Sequence, residues 1–349
     1  MVDINRIGMD TSKSVFQLHG VDGSEQPVLK KQLRRKDVLT FFAKLSPTRI
    51  GMEACGASHY WARELRKLGH TVVLIPPQYV KPYVDRGKND AADAEAICEA
   101  MSRPKVQKRF VPVKDAEGQA CQMLIGTRHN LIRRRTQLTN TIRGFAAEFG
   151  LVAAKGLGRI EPLLERVAAD DTLPKLAKEL FAMHRVELVR LAAQIVEIDD
   201  RLMAFHRANE VSRRLVAVPT IGPIGACMLA MKAPDPHAFR SGRDFAAWIG
   251  LTPKNHSTAG KQRMGAITRA GDEALRSTLV VGATALIQQV LRGRSKPSPW
   301  LAELLKHKPP KLAAVALANK TARIAWKLMI SGERYDATRR INSATHMTA

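Results

Sequence analysis

Near residue 115 the apolar residues of this chain change period, and that change limits it to a sheet-forming first part followed by long helices. Before it, apolar residues come in short blocks broken by turn residues. Residues 4–9 and 14–19 read as two strands joined by a short polar turn, and 28–34 as a third. A helix is expected over 36–45, a buried strand over 48–53, and a helix over 58–68 ending at Gly69. Residues 71–75 form a β-branched strand cut off by Pro76 and Pro77. Strands paired first as a hairpin and then alternating with helices predict a mixed α/β sheet.

After residue 115 apolar positions fall at 120, 124, 127, 131, 138, 142, 145 and 149, which is a helical spacing. Gly156 and Gly158 break the pattern, and a second long helix is expected over 174–208. There Leu188, Leu191, Ile195, Ile198, Leu202 and Phe205 make a coiled-coil seam that can pack within the chain or against another copy; self-association is the favoured use. Residues 211–330 read as a separate helical unit punctuated by Pro and Gly. The tail beyond 335 is polar and expected to be disordered. The expected division is 1–112, 113–210, 211–335 and a 336–349 tail, with no internal repeat.

Charge then narrows the partner. The 56 Lys and Arg exceed the 32 Asp and Glu by 24, and a chain this basic repels itself unless a polyanion is near. Nucleic acid is the expected partner. Arg128, Arg133, Arg134, Arg135 and Arg143 crowd the first long helix. Four widely spaced cysteines make no C-x-x-C, which argues against a zinc knuckle or a disulfide framework and suits a reduced cytosol. The first residues do not read as a signal peptide, and no apolar run approaches the roughly 18 residues of a membrane span. A soluble cytoplasmic protein is expected.

Four acids carry the chemistry of the first half. Asp10 and Glu53 end two strands, while Asp90 and Asp93 share one face at the start of a helix. Strand ends and a helix start can converge at one edge of a sheet. Carboxylates brought together repel, and a divalent cation removes the penalty. Hard oxygen ligands favour Mg²⁺ or Mn²⁺, and two such ions can activate an attacking oxygen and stabilise a leaving one. Singly, each acid has a structural reading as a turn, a strand end or a first-turn helix acid. Together, in a strongly basic chain, the metal reading is the better one.

In the second half, residues 215–231 look like a helix-hairpin-helix whose Gly222-x-x-Gly225 turn holds a DNA phosphate, or like an ordinary helical hairpin. Residues 248–276 place small hydroxyl residues in a loop among Lys254, His256, Lys261 and Arg263, with Arg269 and Arg276 following. Spacing alone favours a phosphate-gripping basic loop. The alternative is a serine nucleophile with neighbours that take its proton and neutralise charge on phosphate. His256 has no second ligand at zinc spacing and reads as a DNA contact or loop hydrogen-bond donor.

Six pieces follow one another in order: Ile-Gly-Met-Asp (7–10), Gly-Met-Glu-Ala-Cys (51–55), Lys-Asn-Asp-Ala-Ala-Asp-Ala (88–94), Ile-Gly-Pro (221–223), Gly-Leu-Thr-Pro-Lys (250–254) and His-Ser-Thr-Ala-Gly-Lys (256–261). In these the chain resembles the insertion-sequence transposases numbered one-hundred-and-ten, especially the subgroup numbered eleven-hundred-and-eleven. The resemblance implies an α/β fold like RNase H or the RuvC resolvase with an Asp-Glu-Asp-Asp site matched by Asp10, Glu53, Asp90 and Asp93. It also implies a coiled-coil insert and a mainly α transposase domain whose catalytic serine matches Ser257. The family commonly has Ser-(Ser/Thr)-Gly-Gly-Lys there; this chain carries Ala259 in place of the first glycine, and Thr258 is a second candidate nucleophile. The implied partners are donor and target DNA, a structured bridge RNA, and further copies of the chain in a tetramer. Two rival activities stay open: a metal-only nuclease or junction resolvase, and an architectural nucleic-acid-binding protein.

Overall fold

A computed structural model describes residues 3–84, 90–107, 109–233, 235–256 and 263–336. Strand β1 (Arg6–Thr11) is the pivot of a five-stranded sheet in the order β3-β2-β1-β4-β5. On one side it pairs antiparallel with β2 (Val15–Val21), which pairs antiparallel with β3 (Pro27–Arg34). On the other it pairs parallel with β4 (Arg49–Glu53), which pairs parallel with β5 (Thr71–Ile75). The parallel pairs need crossovers, supplied by α1 (Val38–Phe42) and α2 (Ser58–Lys67).

The strand period of two sorts each side chain to a face. Ile7, Met9, Ile50, Met52, Val72 and Leu74 face α1 and α2, where Phe42, Trp61 and Leu65 close a buried core. The opposite face carries Val73 and Ile75 and is covered by α4 (Asp90–Ser102) through Ala96, Ile97, Ala100 and Met101. Single turns α3 (Pro77–Val80) and α5 (Pro104–Gln107) flank that helix. These elements form the first of two compact units, Met1–Gln119.

The second unit, Ala120–Ala349, is helical apart from one small hairpin among its described residues. It holds most of α6 (Ala116–Glu148), then α7 (Ile160–Ala169), α8 (Lys175–Ala208), α9 (Glu210–Leu215), α10 (Pro223–Lys232) and α11 (Gly242–Ile249). The hairpin of β6 (Pro253–Asn255) and β7 (Met264–Ile267) follows, then α12 (Glu273–Leu291), α13 (Pro299–His307) and α14 (Pro310–Ser331). Side chains cap several of these helices where the sequence offers an oxygen. Asn209, Ser241, Asp272 and Ser298 accept from the third amide onward.

The seam of α8 packs inside the chain. Leu191 and Ile195 are buried against Leu131 of α6, with Leu138 and Ile198 beside them. The buried face of α6 keeps Leu131 and Ile142 of the expected set and adds Ile125, Thr139 and Ala146, whereas Phe145 and Phe149 stay exposed. The α7 layer accounts for this, because Ile160, Leu163, Leu164 and Val167 pack on Ile142 and Ala146. A different stripe of α8 is exposed: Leu176, Leu180, Met183, Val186, Val189 and Val196.

One expectation needs correction. By length and composition α12 is apolar enough to cross a membrane. Its Leu275, Leu279, Ala283 and Ile287 instead lie in the core shared with α10, α11 and α14. Apolar Val281 and Leu291 lie off that stripe and stay exposed. The tail expected beyond 335 falls almost wholly outside the described residues.

Candidate metal centre and nucleic-acid interface

Arg6, Gly8 and Asp10 alternate along one face of β1, the face that α4 covers. Each meets the helix in turn. The Arg6 Nε donates to the Cys98 carbonyl oxygen at 3.0 Å, and its guanidinium also pairs with Glu25. At Gly8 the helix backbone comes so close that a Cβ would lie 2.1 Å from the Ala94 oxygen and 2.5 Å from the Cys98 nitrogen. Beyond it Asp10 meets the helix start, where one carboxylate oxygen each from Asp10, Asp90 and Asp93 lie within 4.8 Å of one another. The helix thus runs antiparallel to β1 and delivers its first-turn acids to the strand's C-terminal end.

Glu53 reaches the same edge from the neighbouring strand. Ile7, Gly8 and Met9 pair in register with Ile50, Gly51 and Met52, so Asp10 and Glu53 follow the last paired residues on the same face. The two strands carry one tetrapeptide pattern, Ile-Gly-Met-acid, which sets both acids at equal height. Glu53 is not in the tight trio, but its carboxyl is raised above its ordinary range by burial and then by the charges of Asp10 and Asp93. Burial likewise raises Asp10, with Asp93 and Asp90 adding to it. Half-buried oxygens that repel one another are a donor set for a hard divalent cation. The nearby Cys55 thiol lies 3.5 Å from the Thr11 hydroxyl and is not in the trio.

Three contributors to this geometry were not singled out from the sequence: Gly8, Gly51 and Arg6. The repeated Ile-Gly-Met-acid tetrapeptide is the signal that the sequence carries for the glycines. At Gly51 a Cβ would meet the Met101 Sδ at 2.8 Å, so α4 rests on a strip with no side chains.

Residues 7–149 match a family described as Transposase, the DEDD transposases of IS110, and residues 212–296 match the Transposase IS116/IS110/IS902 family. The chain is 66% identical over 333 residues to a Sinorhizobium fredii protein named as a transposase (y4pF/y4sB), covering 95% of this chain and 86% of that one. It is 36% identical over 338 residues to the transposase for insertion sequence element IS1111A of Coxiella burnetii, covering 96% and 92%. The chain belongs to the IS110 family of transposases. It is an insertion-sequence transposase, an enzyme of DNA strand transfer. A further relative, the transposase for element IS1328 of Yersinia enterocolitica, is 36% identical over 332 residues, covering 95% and 98%.

In the transposase's second unit the expected contacts divide. Arg128 is held by Asp199 of α8, with Nε at 2.5 Å, and Arg134 pairs with Glu187 at 3.2 Å. These arginines tie α6 to α8. Arg133 is exposed, and Arg135 and Arg143 line a cleft between α6 and the loop before α7. Gly222 caps α10, while Gly225 is buried inside that helix with Thr278 3.4 Å from where its Cβ would be. The Gly-x-x-Gly pair is therefore a helix start and a helix-packing site rather than a turn. Lys254 is exposed on β6. The His256 amide donates to the Arg263 oxygen at 2.8 Å, and the absence of a side chain at Gly265 makes room for the His256 ring. Arg269 is exposed with a positive φ of 55°, and its amide donates to the Gly250 oxygen at 3.2 Å. Gly250 and Gly271, both at positive φ, lie close against the main chain of Ala270 and of Trp248 in α11 and fix the hairpin root. Ser257, Thr258 and Lys261 lie outside the described residues.

Proposed function

We propose that this transposase cuts and rejoins DNA at a divalent-metal site made by Asp10, Glu53, Asp90 and Asp93, with Ser257 as the nucleophile. The observation that carries this reading is the meeting of Asp10, Asp90 and Asp93 within 4.8 Å at a sheet edge, beside Glu53. Mg²⁺ or Mn²⁺ held there would polarise the scissile phosphate and stabilise the leaving oxygen. Asp10, Glu53, Asp90 and Asp93 would hold the metal, and Gly8 and Arg6 seat α4 against β1 so that its first-turn acids reach Asp10.

The Ser257 hydroxyl oxygen bonds to phosphorus while the bond from phosphorus to one deoxyribose oxygen breaks. The serine proton passes to a neighbouring base, and the released oxygen leaves as a hydroxyl. In the return step that kind of hydroxyl on the exchanged strand attacks the phosphoserine, and the serine oxygen departs with a proton. Each step breaks one phosphate ester and forms another, so no nucleotide hydrolysis is required. Lys254, Lys261, Arg263 and Arg269 neutralise phosphate charge.

In this reading residues 1–112 form the RNase H/RuvC-like metal domain, 113–210 a coiled-coil arm, 211–335 the transposase domain with a helix-hairpin-helix-like element that ends at the Gly222 helix start, and 336–349 a tail. The basic face of α6 and the charge of +24 support binding of a guide RNA as well as DNA. The exposed apolar stripe of α8 supports assembly with further copies, up to a tetramer. The site of action would be the bacterial nucleoid.

A DNA substrate that traps covalent intermediates tests the nucleophile. The parent protein, with its RNA and Mg²⁺, gives a protein–DNA adduct; Ser257→Ala gives none, and Thr258→Ala still does. Cleavage by Ser257→Ala that releases free DNA ends at the parental rate would replace this reading with that of a metal-dependent nuclease or resolvase.

A further inference from the structure

Between α6 and the loop that precedes α7 lies a cleft of about 200 Å³ lined by Arg135, Thr136, Thr139, Asn140, Arg143, Gly156 and Leu157. Arg135, Thr139 and Arg143 follow one another at intervals of four, so α6 presents them on one face. No carboxylate lines the cleft among the described residues. The Arg143 guanidinium bridges its two walls, donating to the Asn140 Oδ1 at 3.3 Å and to the Gly156 carbonyl oxygen at 2.7 Å. Its Nε is buried with no protein acceptor. A buried charged donor left unmatched is costly, and an anionic oxygen would match it.

The loop wall reads Lys155-Gly156-Leu157-Gly158-Arg159. Lys155 and Arg159 are exposed, and neither has a carboxylate within ion-pair distance among the described residues. Space around Gly156 and Gly158 is open, so a ligand's backbone can reach the loop's main chain. Two cations thus line a cleft that contains no acid, and two more flank its loop wall in sequence. By contrast, Arg128 and Arg134 on the same helix are spent on Asp199 and Glu187.

We propose that this cleft is a phosphodiester site, in which Arg143 and Arg135 on α6 and Lys155 and Arg159 on the facing loop grip the backbone of a bound nucleic acid strand. The proposal rests on the reading that the chain binds nucleic acid, and it places one anchor away from the metal centre. A planar guanidinium already fixed by Gly156 and Asn140 is preorganised for phosphate oxygens, and the flanking loop charges follow the strand.

The test is a binding titration of the full chain against short single-stranded RNA, single-stranded DNA and duplex DNA at several salt concentrations. Lys155→Gln with Arg159→Gln removes two exposed charges without touching the core. This pair is expected to weaken binding about tenfold for at least one of the three probes and to flatten the salt dependence by about one to two in slope. Arg143→Gln with an unchanged melting temperature should flatten it too. Arg190→Gln with Arg201→Gln removes the same charge from α8, where both residues pair with glutamates, and should leave affinity and slope near the parent's. Loss confined to RNA assigns the cleft to a guide strand; loss confined to DNA assigns it to the recombining strands. Parental affinity and slope in the loop pair, or an equal loss in the α8 pair, overturns the proposal while leaving nucleic-acid binding intact. A parent that binds none of the probes overturns both.

Discussion

Asp10→Asn is expected to cut the rate of Mg²⁺-dependent strand cleavage by at least about a thousandfold, about 4 kcal/mol of transition-state stabilisation. DNA binding should persist, because the cations that hold phosphate lie elsewhere in the chain. The same change has a second, opposite consequence for stability. Burial and the charges of Asp93 and Asp90 hold the Asp10 carboxyl above its ordinary range, and Glu53 is raised in the same direction. From the ordinary carboxylate range upward, the metal-free folded protein therefore binds more protons than the unfolded chain. Its stability is full below that range and falls as pH rises through the raised values. At neutral pH the asparagine variant, with one repelling charge removed, should melt higher than the metal-free parent. Mg²⁺ should raise the parent's stability by about 2.7 kcal/mol at a hundredfold excess over Kd, and the variant's by far less. Thermal melts across pH with and without Mg²⁺, read beside cleavage rates, check all three. An equal Mg²⁺ shift in parent and variant would remove Asp10 from the metal site.

Gly8→Ala should be nearly as damaging to activity although it removes no ligand. The added methyl would sit 2.1 Å from the Ala94 carbonyl oxygen and 2.5 Å from the Cys98 amide nitrogen, both main-chain atoms of α4. Backbone in the middle of a helix cannot step aside as a side chain can, so the helix must lift off the strand. The expected cost is about 3 kcal/mol, the upper end for overpacking. Lifting α4 also carries Asp90 and Asp93 away from Asp10, so the Mg²⁺-induced shift in stability should vanish with cleavage. Gly51→Ala is the matched comparison. Its methyl meets the end of the flexible Met101 side chain at 2.8 Å, and a cost within about 1 kcal/mol with activity retained is expected. Urea melts of the two variants, each with and without Mg²⁺, separate them. A Gly8→Ala protein that folds and cleaves like the parent would show that α4 does not set the site.

Much of this was legible because it is local. The strand at 71–75 ends at Ile75 before its prolines, and the helices expected over 115–149 and 174–208 run Ala116–Glu148 and Lys175–Ala208. Strand and helix periods repeat every few residues, so a short stretch of sequence carries them. The four acids were legible for a related reason, since Asp10 and Glu53 end strands and Asp90 and Asp93 share a helix turn. What spacing did not carry was the company each residue keeps. Arg128 and Arg135 look alike in the sequence, yet one is held by Asp199 and the other faces an acid-free cleft. Gly222 and Gly225 look like one turn, yet one caps α10 and the other is packed inside it. The seam of α8 faces α6 rather than solvent, and only the packed chain could show which stripe of that helix stays uncovered.

The sequence by itself determined the elements and which acids stand at strand ends and at a helix start, because propensity and periodicity act over one or two turns of backbone. Tertiary structure alone decided how near those acids come to one another. That distance depends on the place on β1 where Gly8 lets the α4 backbone rest directly on the sheet, beside the contact of Arg6 with Cys98, 92 residues away in the chain.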